Sequence, residues 1–195
     1  VTGDRIAWVG PQAALPGPPA TLAAVVHDGA GHWLTPGLID SHTHLVFAGT
    51  RSRDFEMRLE GADRPAIYAA GGGIPATVFL TRAAGFDALV GAALGRLDSL
   101  IAEGVTTVEI KSGYGLDFDT ELRQLRVARR LGELRAVDVV TAFLGMHGLP
   151  PDLEGTADDY IDDICDRILP AAVAEGLVDI VDGALERICF DHEQM

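Results

Sequence analysis

Apolar residues in this chain form short runs that alternate with longer amphipathic stretches. Four largely apolar runs predict buried strands, at residues 38–47, 105–111, 137–144 and 177–181. Strands of a parallel sheet that is covered on both faces are typically apolar along most of their length, as these are. The pattern therefore predicts a parallel sheet in the larger part of the chain.

The stretches between these runs have the periodicity of amphipathic helices. Apolar side chains share one helical face in residues 89–101, 122–131 and 161–173. Gly104 and Gly176 are C-terminal stop signals for the first and third, and Asp117 or Asp119 lies near the start of the second. Repeated β-α units imply right-handed crossovers between parallel strands. About four units follow Thr35 and a closed eight-stranded barrel needs roughly 250 residues, so an open α/β sheet and the first half of a barrel both fit.

The first 34 residues follow a different pattern. Short β-like runs separated by turns at Gly10-Pro11 and residues 16–19 predict a small β-sheet element. The chain does not begin with Met, and its last residues, from Asp191 on, resemble the start of a helix. We therefore expect the chain to be part of a longer protein.

Composition narrows the class of protein. The chain has 195 residues, of which 48% are hydrophobic, which is enough for a sizeable core. A net charge of −14 argues against a nucleic-acid or anionic-membrane surface, since such a surface needs clustered cations. The two cysteines lack the close spacing of a disulfide framework, which favours a reducing cytoplasm. No apolar run approaches the roughly 18 residues of a membrane span.

The His42-Thr43-His44 segment is the strongest chemical signal. Side chains on a strand alternate between its faces, so His42 and His44 are expected to point to the same side. Neutral imidazole is a common ligand for zinc and iron. Two histidines do not complete a site, however, because zinc usually takes at least three protein ligands.

Several segments in order resemble one known family. The first is the run Pro-Gly-Leu-Ile-Asp-Ser-His-Thr-His that ends at His44. Five further segments follow it, at residues 45–51, 71–74, 104–115, 120–127 and 137–147. Together they resemble the imidazolonepropionase family of the metal-dependent amidohydrolase superfamily, over nearly the whole chain but only about half of such an enzyme.

The resemblance implies a fold. Members of this superfamily have a (β/α)8 TIM barrel joined to a small β-sandwich. Residues 1–34 would form part of the β-sandwich domain, and residues 35–195 would form the first half of the barrel, with about four of its β/α units.

The resemblance also implies a reaction. The enzyme would open the ring of 4-imidazolone-5-propanoate by hydrolysis, giving N-formimidoyl-L-glutamate in histidine degradation. One zinc or iron ion would activate water, with His42 and His44 as its first two ligands. A third His and an Asp would come from later strands, so we expect an incomplete metal site and no activity in this chain alone. We assign no catalytic acid or base to it, and we expect a cytoplasmic enzyme, with a homodimer left open.

Three residues resemble the family's substrate contacts. Arg51 follows the first strand, and a guanidinium group binds a carboxylate through two hydrogen bonds, so Arg51 would anchor the propionate, with Arg53 as competitor. Tyr114 lies between two glycines after the second strand and would contact the substrate. His147 ends the third strand and would form a hydrogen bond with the ring carbonyl, stabilising negative charge that develops there.

Other polar residues receive structural interpretations. For Lys111, a structural or loop-ordering role is a better interpretation than a carbamylated lysine that bridges two metal ions. Glu109 would lie on the same strand face and pair with Lys111. Residues 71–73 predict a flexible loop. Asp182 and Glu186 match the family's acidic pattern only in part and receive no role.

Two alternatives to this function remain open. One is a different amidohydrolase, either a cyclic amidase or a deaminase acting on another small molecule. The other is an inactive barrel fragment, because only two metal ligands are recognised in the chain.

Overall fold

The computed structural model describes residues 1–185 and 189–194. The chain divides into two compact units, residues 1–36 and residues 37–195. No helix within the described ranges is both long enough and apolar enough to cross a bilayer.

The first unit contains turns and short helices. A 3-10 turn spans Gln12–Ala14, helix α1 spans Pro19–Leu22, and an isolated bridge joins Thr2 and Arg5. The β-sandwich predicted for this region is not confirmed, because residues 1–36, all of them described, contain no strand. Their apolar side chains find little cover within the unit, and Trp33 is 95% exposed. A strand needs a paired neighbour and a buried face to be stable, and this segment supplies neither.

The second unit is built on a four-stranded sheet. Its strands are β1 (Leu38–Thr43), β2 (Val105–Lys111), β3 (Asp138–Met146) and β4 (Ile180–Gly183). All neighbouring pairs are parallel, and the order in the sheet is that of the sequence. An open doubly wound sheet reverses its strand order at a switch point, whereas a barrel adds each new strand on the same side. The topology therefore fits part of a TIM barrel.

The three predicted helical stripes are confirmed. Helix α5 spans Phe86–Ala102 and helix α6 spans Phe118–Leu134, with Asp117 as the N-cap that accepts a 2.7 Å hydrogen bond from the Thr120 amide. The third stripe is one interrupted helix. It consists of α7 (Ala157–Asp163), a π-helical segment (Ile164–Ile168) and α8 (Leu169–Ala174).

The long connection between β1 and α5 contains three helices that the periodicity does not predict. They are α2 (Ser52–Leu59), α3 (Arg64–Ala69) and α4 (Gly73–Ala83). Helices α2 and α3 are short and bury few side chains, so they carry no long apolar stripe. The flexible loop predicted at residues 71–73 is wrong at its last position, because Gly73 is the first residue of α4.

The core consists of two groups of buried side chains that α6 connects. One group joins the segment after β1, strand β2 and α5 to α6 through residues such as Val46, Leu97 and Val127. The other joins α6 to β3 and the interrupted helix through residues such as Leu125 and Phe143. Because α6 contributes to both groups, its position relative to the strand ends is tightly constrained.

Apolar side chains on the outer strands of the sheet are exposed. On β1, Leu38 is 55% and Ile39 70% exposed, and on β4, Ile180 is 46% and Val181 57% exposed. Parallel sheets are almost always covered on both faces. The apolar residues of β1 and β4 therefore have no packed layer of described residues over them, although their sequence is typical of buried strands.

Candidate active site

Aromatic rings converge where β1, β2 and β3 end. The centroid of the His44 ring lies 5.5 Å from that of His42, 5.2 Å from that of Tyr114 and 4.7 Å from that of His147. The rings of His44 and His147 are stacked, with 18° between their planes. The sheet thus brings together residues that are far apart in the sequence, such as His44, Tyr114 and His147, because parallel strands end on one side.

His42, in β1, and His44, directly after it, flank a residue that is fixed in the sheet. Strand β1 ends at Thr43, which is buried, and the Thr43 hydroxyl donates a 2.6 Å hydrogen bond to the main-chain oxygen of Glu109. The Thr43 amide donates to the Glu109 carboxylate at 3.2 Å. These bonds hold the end of β1 against β2 and so limit where the imidazoles of His42 and His44 can lie.

His44 has the properties of a ligand. Its Nδ1 atom is buried and has no hydrogen-bond partner among the described residues. Burial, with smaller contributions from His147 and His42, lowers the pKa of His44 to about 4. The ring is therefore neutral at pH 7, the form that binds metals.

The donor set fits a metal ion only in part. Within residues 1–185 and 189–194, no three His, Cys, Asp or Glu side chains are grouped so that they could hold one. His42 and His44 can supply two nitrogen ligands to an ion beside them, and the unpartnered nitrogen of His44 is consistent with that use. Further ligands would have to be added to this pair.

Lys111 forms a buried charge cluster at the end of β2. Its ammonium group donates to the carboxylate of Glu109, the partner expected from the sequence, and to that of Asp182 at 2.8 Å. Burial opposes the charge on Lys111, but the hydrogen bonds to Asp182 and Glu109 outweigh it and raise the pKa. The Lys111 hydrogen bond lowers the pKa of Asp182. Asp182, which the sequence left without a role, is thus an ion-pair partner of Lys111, and Glu186 lies outside the described residues.

The three predicted substrate contacts line one pocket. Arg51, Tyr114 and His147 face a cavity of about 200 Å³. Arg53, the competitor of Arg51, instead lines a separate surface hollow along α2. The position of the side chains therefore favours Arg51 over Arg53 as the residue that reaches the pocket.

The sequence did not single out the remaining pocket residues. Helices α2 and α3 and the start of α4 supply them: Asp54, Arg58, Arg64, Ile67, Tyr68, Gly73 and Ile74. Among the described residues, the guanidinium groups of Arg51, Arg58 and Arg64 line the pocket with the carboxylate of Asp54, which lies 3.5 Å from the Arg51 Nε atom. Guanidinium groups at a pocket suit an anionic ligand, although the chain as a whole is acidic.

Two adjacent glycines allow the pocket wall to close. A Cβ atom on Gly72 would lie 2.4 Å from Oδ1 of Asp54, and one on Gly73 would lie 2.6 Å from the ring of Tyr68. Gly73 also has a φ of 78°, and its amide donates a 2.9 Å hydrogen bond to the Asp54 carboxylate. The glycines thus let the turn before α4 approach the pocket residues closely.

The loop after β2 is anchored from beneath by a buried carboxylate. Glu121 accepts hydrogen bonds from the amides of Gly113, Gly115 and Leu116, at 3.0, 2.9 and 2.8 Å. These bonds fix the loop that carries Tyr114. Burial raises the pKa of the Tyr114 phenol, so Tyr114 is neutral at pH 7 and can both donate and accept a hydrogen bond.

The orientation of the His147 ring is set by the same loop. Its Nδ1 atom lies 2.8 Å from the main-chain oxygen of Gly113. Because a carbonyl can only accept, Nδ1 carries the proton. In the neutral ring, Nε2 is then an acceptor.

Comparisons with known proteins agree with the resemblance. No protein-family model matches the chain. It is 58% identical over 194 residues to the imidazolonepropionase of Ralstonia nicotianae, covering 100% of this chain and 47% of the relative. It is 57% identical over 195 residues to that of Cereibacter sphaeroides, and 56% identical over 193 residues to that of Roseobacter denitrificans, covering 48% of each. The chain thus spans about half the length of the curated relatives it matches, and its similarity to imidazolonepropionases is confirmed.

Replacing Gly73 by Ala should destabilise the protein more than replacing Gly71. Both residues have positive φ, 78° and 81°, so both substitutions carry a strain of about 1–2 kcal/mol. Only at Gly73 does the new methyl group meet a side chain, the ring of Tyr68, which adds about 1–3 kcal/mol. Chemical denaturation measures the two free energies of unfolding, and equal losses would contradict this account of the pocket wall.

Proposed function

We propose that this chain is part of a hydrolase that opens the ring of 4-imidazolone-5-propanoate and yields N-formimidoyl-L-glutamate. The observation that carries the proposal is the arrangement of Arg51, Tyr114 and His147 around one pocket, with His44 against the last two. It is supported by 55–58% identity to curated imidazolonepropionases over the chain.

The propionate group of the substrate would bind among the arginines of the pocket. Arg51 can form two parallel hydrogen bonds with a carboxylate, and Arg58 and Arg64 add positive charge nearby. A carboxylate bound in this way orients the imidazolone ring toward Tyr114 and His147. Arg51 and the pocket around it thus account for selection of an acidic substrate.

The imidazolone ring would be held by Tyr114 and His147. Since Nδ1 of His147 donates to Gly113, Nε2 of the neutral ring is the acceptor nitrogen, and its chemistry suits a ring N–H of the substrate. Donation to the ring carbonyl, the role expected from the resemblance, requires a second proton on Nε2. The hydrogen bond to Gly113 would be kept in both forms, so the ring would keep its orientation.

His42 and His44 would hold the metal ion, zinc or iron, next to this pocket. The proposal is supported by the buried, unpartnered Nδ1 of His44 and by its lowered pKa. When bound, the ion would supply a water molecule whose pKa is lowered toward 7. We infer that the remaining ligands, a His and an Asp, and the acid and base lie in parts of the full protein other than this chain.

Like the metal site, the fold is expected to be shared between this chain and the rest of the full protein. We infer that residues 1–34 belong to a small β-sandwich and that residues 35–195 form the first half of an amidohydrolase barrel. The exposed apolar residues of the first unit and of β1 and β4 support this, because further strands would cover them. A cytoplasmic location, which the two free cysteines support, completes the proposal.

The direct test is hydrolysis by the full-length protein loaded with zinc or iron. We expect conversion of 4-imidazolone-5-propanoate to N-formimidoyl-L-glutamate, measured by mass spectrometry. A panel of other cyclic amides and of deaminase substrates should be turned over far more slowly. Turnover of a panel member without turnover of the imidazolone would favour a different amidohydrolase.

Replacing Arg51 by Ala should weaken substrate binding in the full-length enzyme. Loss of a charged hydrogen-bonded pair costs about 1.5–3 kcal/mol, which corresponds to a KM raised about 10- to 100-fold, with a smaller change in kcat. Arg53→Ala is the matched control, since Arg53 lies outside the pocket, and its KM should stay near that of the wild type. An unchanged KM in Arg51→Ala would remove the anchoring role.

Metal content tests the role of the histidines independently of turnover. We expect the full-length protein to retain about one zinc or iron ion per chain after dialysis, measured by elemental analysis, because its site has at least three protein ligands. His44→Ala should lose most of it, whereas His32→Ala, an exposed residue of the first unit, should not. The 195-residue chain alone should bind less than one ion. Tight stoichiometric binding by that chain would contradict the incomplete site.

A further inference from the structure

Gln124 is a polar residue at the centre of α6 that is only 1% exposed. A buried amide costs free energy unless its donors and acceptor are used. Both ends of this side chain bind main-chain groups: Oε1 accepts from the Tyr114 amide at 3.2 Å, and Nε2 donates to the Val46 oxygen at 2.7 Å. The orientation of the amide is therefore fixed, because one partner can only donate and the other can only accept.

The two partners of Gln124 belong to different walls of the site. Val46 lies two residues after His44, in the segment that leaves β1, and Tyr114 lies in the loop that leaves β2. One side chain on α6 thus ties the segment of the proposed metal ligands to the loop of the proposed substrate contacts. Neither bond is local in the sequence, since the separations are 78 and 10 residues.

The connection extends to His147 through a single peptide group. The peptide that joins Gly113 to Tyr114 presents its N–H to Gln124 and its oxygen to Nδ1 of His147, at 2.8 Å. In a trans peptide these two groups point in opposite directions. Holding the N–H with Gln124 therefore aims the oxygen at His147, and that oxygen determines which imidazole nitrogen carries the proton.

Glu121 has a different role, although it lies on the same helix and is also buried. Its hydrogen bonds to Gly113, Gly115 and Leu116 all remain within the loop after β2. They hold the shape of that loop. Gln124 bonds to the loop and to the segment after β1, so it sets the distance between them.

We propose that Gln124 is a positioning residue of this active site. It sets the position of the His44 segment relative to Tyr114 and, through the Gly113–Tyr114 peptide, the orientation of His147. The expected effect of Gln124 on turnover rests on the proposed function. Small displacements of positioned groups lower turnover strongly, and loss of an outer partner typically costs about 10- to 100-fold.

The test compares three variants of the full-length protein. Gln124→Met keeps the length of the side chain and removes both hydrogen bonds, and Gln124→Leu is a second variant in case the first does not fold. Val127→Ala is the matched control, since Val127 is also fully buried on α6 but packs among apolar side chains. Its loss of packing reports the effect of simple destabilisation of the helix.

Two measurements separate positioning from stability. Hydrogen exchange of the Tyr114 amide, followed by mass spectrometry of a peptide that contains it, reports the bond to Gln124. Turnover of 4-imidazolone-5-propanoate reports the geometry of the site. We expect Gln124→Met to exchange this amide faster and to lose about 10- to 100-fold in kcat/KM. Val127→Ala should change neither the exchange rate of the Tyr114 amide nor kcat/KM by more than about twofold, at a temperature where Val127→Ala and Gln124→Met are both folded.

Either of two results would overturn the proposal. One is unchanged exchange at Tyr114 in both Gln124 variants, since the bond would then not hold the loop. The other is faster exchange with the same kcat/KM as Val127→Ala, which would leave Gln124 with a purely structural role. Failure of the wild-type protein to hydrolyse the substrate would instead overturn the proposed function, and the exchange rates would still decide whether Gln124 holds the loop.

Discussion

Parallel pairing of β1, β2 and β3 is the constraint on which the site depends. Each strand is followed by a segment that carries a site residue, His44, Tyr114 or His147, and parallel pairing brings these segments to the same edge of the sheet. Helix α6 then fixes their spacing, because its apolar face packs in both parts of the core. The site is therefore a consequence of strand register and helix packing together.

Buried polar side chains make this arrangement specific. Thr43, Glu109 and Lys111 connect the ends of β1 and β2, and Glu121 and Gln124 connect α6 to the loops above it. Burying such groups costs free energy unless each has a partner in the right place. An alternative register or loop position would leave several of them unpaired, so these bonds favour one geometry over its neighbours.

The exposed sheet edges and the two-histidine donor set are consistent with each other. Both β1 and β4 carry exposed apolar residues, and the chain spans about half the length of the relatives it matches. A barrel divides its active-site residues among the ends of many strands, so half of its strands hold only part of the ligands and contacts. The pocket around Arg51 is more complete, because its lining comes from segments that follow β1, β2 and β3.

Much of this protein follows from its sequence alone. The four strands, the three long amphipathic stripes and the pairing of Lys111 with Glu109 are predicted by periodicity and alternation, because they depend on residues close together in the chain. The bounds of two strands differ from the prediction: β1 ends at Thr43 instead of residue 47, and β4 spans Ile180–Gly183 instead of 177–181. The similarity of His42, Arg51, Tyr114 and His147 to known motifs singled them out as well. Tertiary structure decided the rest. Helices α2 and α3 bury too few side chains to show a pattern, and the buried positions of α4 are mostly threonine and glycine. The bonds of Gln124 join segments that only folding brings together.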